Sequence, residues 1–392
     1  MAEIIDQIVK ISIQDAISSV TTVDVNTVAL VGLATETSPV AGEFSSVAGA
    51  VTAYGADSEL AAMVRAFFAQ DSQPSRVVCI PAADTAAGTL AAVQNAAKDF
   101  DFYHIVMATW DESVSDSTLV GSNGWQEWLA DAKKVLHIQV KDPSSLKNLG
   151  GNRIAIYKHD EIQKITQTVT TSTTTTVTEL TNLPAGWEDG ELKTSETSSG
   201  TTTTVEVSVE FLNVGIVALR CSKDSARGTF AHKKCKGVTA DSYTVEQYNA
   251  WIDGGINIYT KVSGEARLFM GTTGSNESFI DQIIKDDWIR FNVQSRIYRL
   301  LGEGNDGNGV NYDDAGIGAV ASSVLNVLTL AQDTDHQYVM ADSASVDYKP
   351  YSYLIANYPE DVRKRNLPLI AGRYARMNSI HTVVQVSLQV TL

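Results

Sequence analysis

Two stretches of this 392-residue chain, TVALVGL (27–33) and RVVCI (76–80), are apolar at consecutive rather than alternate positions. A strand written that way is buried on both faces, so it demands a sheet with a layer packed on each side. Between the two, Asp57 or Ser58 can cap a helix in which Leu60, Met63, Val64, Phe67 and Phe68 fall on one stripe. A second helix (Leu90, Val93, Ala97), strand YHIVMA (103–108), helix WQEWLADAKK (125–134) and strands VLHIQV (135–140) and RIAIY (153–157) follow. Strand–helix alternation predicts a mostly parallel α/β sandwich over residues 23–162.

The composition then changes. Residues 163–209 hold 16 Thr, in ITQTVTTSTTTTVTEL and TSSGTTTTVEVSVEF, joined by the turn-forming PAGWEDG. Alternating Thr and Val suit strands, so 163–210 reads as an inserted β-hairpin or small β-domain; the other reading is a Thr/Ser linker without fixed structure. Beyond it, VGIVALR (214–220) reads as a return strand, TVEQYNAWI (244–252) as a helix, and NIYTKV (257–262) and ARLFMG (266–271) as strands. A long amphipathic helix covers 278–301, and Asp313 and Asp314 cap another carrying Ile317, Val320, Val324 and Leu328. Residues 211–376 are therefore expected to form a second, α+β domain, making the class α/β plus α+β and multi-domain.

Both ends carry a period of two. Val384, Val386, Leu388, Val390 and Leu392 share one face of the last segment, and Val9, Ile11 and Ile13 repeat the pattern in IVKISIQ (8–14). With no hairpin partner beside it, the last strand has to pair with something distant, in its own fold or in a neighbour's sheet, since an exposed edge aggregates. Residues 1–22 and 377–392 are thus expected to be strand-forming arms.

The net charge of −16 argues against a general nucleic-acid or anionic-membrane binder. Charged residues make up 19%, below the roughly 25% usual for soluble domains, as expected if part of the surface is covered in an assembly. Residues 362–392 run against the trend: Arg363, Lys364, Arg365, Arg373 and Arg376 occur there with no acid, a patch suited to an acidic surface. Cys79, Cys221 and Cys235 cannot make a disulfide framework, which points to a reducing compartment. Met1–Asp6 lacks the basic start of a signal peptide, and Val28–Ala34, the most apolar run, is too short to span a bilayer. The expectation is a cytosolic product with no direct membrane insertion.

Chemistry is sparse. GEGNDG (302–307) matches G-x-G-x-x-G but follows a helix, and Asp306 would repel a pyrophosphate; a flexible loop is expected. That stretch also lacks EF-hand spacing. Cys221, His232 and Cys235 supply three soft ligands and no fourth, so two core thiols and a surface His are expected. His104 and His137 fall inside predicted strands and read as satisfied core residues. No catalytic residue, cofactor or metal is expected. The competing class is a nucleotide- or sugar-binding α/β enzyme with a ligand at the carboxyl ends of the strands.

YGADSELAAMVRAFF (54–68), KDDWIRFNVQSRIYRLL (285–301), VNYDDAGIGAVASSVLNVL (310–328) and VRKRNLPLIAGRYARMNSIHTVVQVSLQV (362–390) together resemble the tail sheath proteins of contractile phage tails and related injection systems. The resemblance runs in order over most of the chain and skips the Thr-rich insertion. It implies a virion structural protein that polymerises with itself into stacked hexameric rings, a helical polymer around an inner tail tube protein, assembled in the host cytoplasm and meeting baseplate and tail terminator proteins. It further implies that the two arms add strands to neighbouring subunits, that Arg363, Lys364 and Arg365, with Arg373 and Arg376 close by, face the tube, and that the insertion lies on the outer surface. Asn378-Ser379 stands where the family often has Gly-Ala, which leaves the start of the C-terminal arm open. Another virion tail or baseplate protein is the alternative within this class.

Overall fold

The computed structural model describes residues 24–83, 86–107, 119–121, 123–149, 151–159, 210–274, 278–303 and 309–382, and the backbone of 166–171 and 201–206. The first part of the chain runs β1 (Val28–Gly32), β2 (Gly42–Phe44), α1 (Val47–Tyr54), α2 (Glu59–Phe68), β3 (Val77–Pro81), α3 (Ala86–Ala96) and β4 (His104–Met107). Next come α4 (Trp125–Ala132), β5 (Val135–Val140), β6 (Ile154–Lys158), β7 (Thr166–Thr171) and β8 (Thr201–Glu206). After these follow α5 (Leu212–Cys221), α6 (Val245–Asp253), β9 (Ile256–Val262), β10 (Glu265–Phe269), α7 (Ile280–Glu303) and α8 (Asp314–Leu330). The last elements are β11 (Ser345–Asp347), α9 (Tyr351–Asn357), α10 (Pro359–Arg363) and β12 (Ala371–Arg373).

Eight strands form one sheet in the order β10-β9-β6-β5-β4-β1-β3-β2. The six inner strands are parallel, and an antiparallel strand closes each edge. Successive residues of β1 enter opposite cores: Val28 and Leu30 face one, with α2, α5, α7 and α8, and Ala29 and Val31 face the other, with α3 and α4. Two packed faces explain why these strands are written as continuous apolar runs. The caps follow the local code. Ser58 accepts from the Ala61 N–H, Asp313 from the Gly316 N–H, and Thr244 with Gln247 closes a capping box.

Two expectations are corrected. VGIVALR is part of α5, a helix, and not a return strand. Nine of its ten residues are buried, and a helix buried all round shows no period that distinguishes it from a buried strand. Its amino end is satisfied from the sheet: the Gln139 Oε1 accepts from the Leu212 N–H at 2.7 Å. Second, the sheet does not stop at the insertion. β9 and β10, read as part of a separate domain, extend it by parallel pairing of β9 with β6. Within the insertion, β7 and β8 pair antiparallel, from Thr166 opposite Glu206 to Thr171 opposite Thr201.

Candidate assembly surface

The parallel sheet offers the place where an α/β enzyme would bind its ligand, at the carboxyl ends of its strands. After β1 that place is taken by the chain itself. Glu59, in the first turn of α2, accepts from the Leu33 N–H at 2.8 Å, and its carboxylate stands where a helix amino end would otherwise welcome a phosphate. An open cleft of about 330 Å³, lined by Asp24, Asn26, Glu43, Arg76, Asp101 and Ser222, lies at the opposite, amino ends of β1 and β3.

The buried polar groups hold layers together. His104 Nδ1 lies 2.9 Å from His137 Nε2, whose ring Nδ1 lies 3.0 Å from the Tyr157 hydroxyl, all within the sheet. Burial pushes His104 down to about 3 and His137 well below its ordinary value, so both are neutral. Arg153 grips the Asp287 carboxylate with two bonds of 2.7 and 2.8 Å, and the Tyr103 hydroxyl donates to the same group at 2.6 Å, tying α7 to the sheet. Cys79, Cys221 and Cys235 are buried free thiols, and burial pushes Cys79 up to about 12. Among the described residues, no group of three His, Cys, Asp or Glu side chains could hold a metal ion, and no helix is long and apolar enough to cross a membrane.

At the base of the insertion, His159 is fully buried with Glu210 Oε2 3.3 Å from Nε2 and Asp241 Oδ1 3.3 Å from Nδ1. Burial alone would lower its pKa. The hydrogen bonds and charges of Asp241 and Glu210 outweigh it and hold the imidazole above its ordinary value. His159 and Glu210 lie at either end of the Thr-rich segment, so this ion triad closes its neck.

The unusual surface is the C-terminal one. Of residues 351–382 only Leu354 is buried. Among the described residues, 11 of the 16 exposed large apolar side chains lie from Tyr298 onwards, including Tyr348, Tyr353, Ile355, Leu369 and Ile380, the last 82% exposed. Among the described residues the β11–β12 ribbon has two strands, and all of β12 is exposed. One face rests on α8, where a side chain at Gly372 would press on Val324 at 3.2 Å. An isolated two-stranded ribbon is marginal in water, so this one depends on α8 for its support.

Of the five cations read from the sequence, three are engaged within the chain. Arg363, at the end of α10, pairs with Glu360 at 2.6 Å; Arg373, on β12, with Asp347 of β11 at 3.1 Å; and Arg376 with Asp286 of α7. Lys364 and Arg365 are exposed, with no ion pair among the described residues. The arm positions Val9, Ile11, Ile13, Val384, Val386, Leu388 and Val390 lie outside the described residues. Sequence reasoning missed the exposed apolar set and the role of Arg376, since neither has a local pattern.

No known protein family's profile matches the chain, and no curated protein sequence does. Among solved structures it is similar to the helical sheath of the anti-feeding prophage in its contracted state, with a TM-score of 0.60 and 12% identity over 97% of this chain and 98% of that one. It is also similar to a chain of the same particle's baseplate in the contracted state, with a TM-score of 0.57 and 14% identity over 98% and 97%. Over nearly its whole length, this chain therefore has the fold of the anti-feeding prophage's contractile sheath.

Proposed function

We propose that this chain is the structural subunit of a contractile tail sheath, polymerising as stacked rings around an inner tube and contracting to drive that tube through a target envelope. The observation that carries the reading is the stretch 351–382, one buried residue in a segment with helices, a strand and several exposed large apolar side chains. Such a segment is completed by other copies. The full-length match to a chain of a helical sheath supplies the assembly in which copies meet.

In this reading the arms, 1–22 and 377–392, add strands to neighbours, and the β11–β12 ribbon, two-stranded among the described residues, is the acceptor. The extended polymer is metastable: subunits rotate and repack into a shorter, wider state with more buried surface, while the arms keep neighbours joined. The subunit does no chemistry. Lys364 and Arg365, with Arg363 beside them, face an acidic tube and release it on contraction, since exposed pairs are worth only about 0–1 kcal/mol each. The Thr-rich insertion faces outward, and the assembled particle is a virion or virion-derived tail that also meets baseplate and terminator proteins.

Sedimentation of the purified chain tests the core of this: the expectation is large polymers in equilibrium with subunits, and a concentration-independent monomer would overturn it. Changing Arg363, Lys364 and Arg365 together to Glu is expected to abolish co-assembly with the tube while leaving self-assembly; unchanged tube binding would remove the patch assignment.

A further inference from the structure

The segment Tyr374–His381 has neither helix nor strand of its own and is mostly exposed, yet it is fastened along its length. On α7, Asp286 accepts from the Tyr374 hydroxyl at 2.8 Å and from the Arg376 Nε at 2.9 Å, with a second bond from the Arg376 guanidinium. One residue earlier on the same helix, Lys285 is 1% exposed; its ammonium donates to Asp281 and to the main-chain carbonyl of Met377, both at 2.7 Å. Gln282 donates to the Asn378 side chain at 3.2 Å. On the other flank the Met377 N–H donates to the Tyr338 carbonyl, and Ala375 receives the Met340 N–H, both at 2.8 Å. At the far end His381 lies 2.8 Å from the Thr229 hydroxyl and against the Phe279 ring, and its carbonyl lies 3.2 Å from the His232 Nε2.

Apart from the Tyr374 ring against the core and His381 against Phe279, hydrogen bonds hold this segment, those to Asp286 and from Lys285 being charge-assisted. A buried ammonium that spends a donor on a main-chain carbonyl is an expensive arrangement unless its partners are fixed. Here the carbonyl belongs to an exposed stretch, so the ammonium fixes the stretch. The helix that supplies Asp281, Gln282, Lys285 and Asp286 is also the one clamped to the sheet through Asp287 and Arg153.

We infer that Tyr374–His381 is a strap, bolted to α7 by Asp286 and Lys285 and to the 229–232 loop by His381, and that it carries traction on the C-terminal end of the chain into the eight-stranded sheet. The pivot of the C-terminal arm then lies beyond His381, and not at residue 377. The inference deepens the sheath reading only in the source of the traction, a neighbouring subunit; the strap itself is a property of the single chain.

Single-molecule pulling on the full-length monomer tests it, with one handle at the C-terminus and one at Val245, which is 76% exposed. The expected trace shows a first rupture that releases the strap, about 28 Å for eight residues. In Asp286→Ala that rupture moves to lower force, and the Asp286→Arg/Arg376→Asp exchange restores much of it. Hydrogen exchange checks that the variant is folded: the Met377 N–H exchanges about tenfold faster or more, while β4–β6 amides are unchanged. A wild-type trace without a strap rupture, or an Asp286→Ala trace identical to wild type, overturns the inference. Failure of the chain to polymerise in sedimentation would overturn the sheath reading and leave this result standing.

Discussion

The eight-stranded body and the region from Tyr298 to Thr382 solve the burial problem differently. In the body the inner strands of the sheet are packed on both faces, and buried polar groups such as Asp287 and Gln139 meet partners from another layer. The C-terminal region packs α8 against α7 and then leaves 11 large apolar side chains exposed among the described residues. A chain that can bury its core this well in one place does not leave it undone in another for lack of residues. The contrast is what the proposed assembly accounts for: a body whose core is closed within the chain, and a C-terminal region whose exposed apolar side chains other copies would cover.

Breaking the body should therefore cost the monomer most. Arg153→Met leaves the Asp287 carboxylate, 4% exposed, without its ion pair, and is expected to lose about 3–5 kcal/mol in urea unfolding. Phe67→Ala, fully buried, should lose a comparable amount, about 3–5 kcal/mol. Leu354→Ala, the single buried position of 351–382, is expected near the lower end of the range for such a truncation, about 2 kcal/mol, because its surroundings can close in. A loss as large as that of Phe67→Ala would mean that the C-terminal region has a finished core.

A pH series sharpens the comparison within the body. His159 is held above its ordinary value, so its contribution is complete below the unfolded value of 6.5 and is lost as the pH rises through the folded one. The stability advantage of wild type over His159→Gln should shrink between pH 5.5 and pH 9, with proteolysis of the insertion rising in parallel. His104 and His137 act with the opposite sign: their contribution is present above 6.5 and fades as the pH falls, for His104 toward about 3. An advantage for His159 that grows with pH would contradict the neck assignment. The smallest effect on the monomer is expected from Ile355→Ser with Leu369→Ser, within about 0.5 kcal/mol, combined with a loss of polymer in sedimentation.

The body was largely legible because its signals are local. Continuous apolar runs gave β1 and β3, and of the caps offered, Asp57 or Ser58 and Asp313 with Asp314, the structure uses Ser58 and Asp313. α5 was not legible: with Val214, Ile216, Val217 and Ala218 all buried, the 3.6 period that would expose a helix is erased. The place of β9 in the sheet depends on pairing with β6 across the whole Thr-rich insertion, which no window of sequence records. Arg376 was readable as a cation, but its partner Asp286 lies 90 positions away, so its engagement was not. The exposed apolar set was invisible for a simpler reason: sequence shows which residues are apolar and not which of them the fold leaves uncovered.

The most direct test of the division between a self-sufficient body and a region completed by copies is negative-stain electron microscopy of the full-length chain beside a version lacking Val383–Leu392. The account predicts hollow, ring-stacked tubes from the full chain and folded single subunits from the truncation. Single subunits from both, or a truncation that still forms tubes, would contradict it.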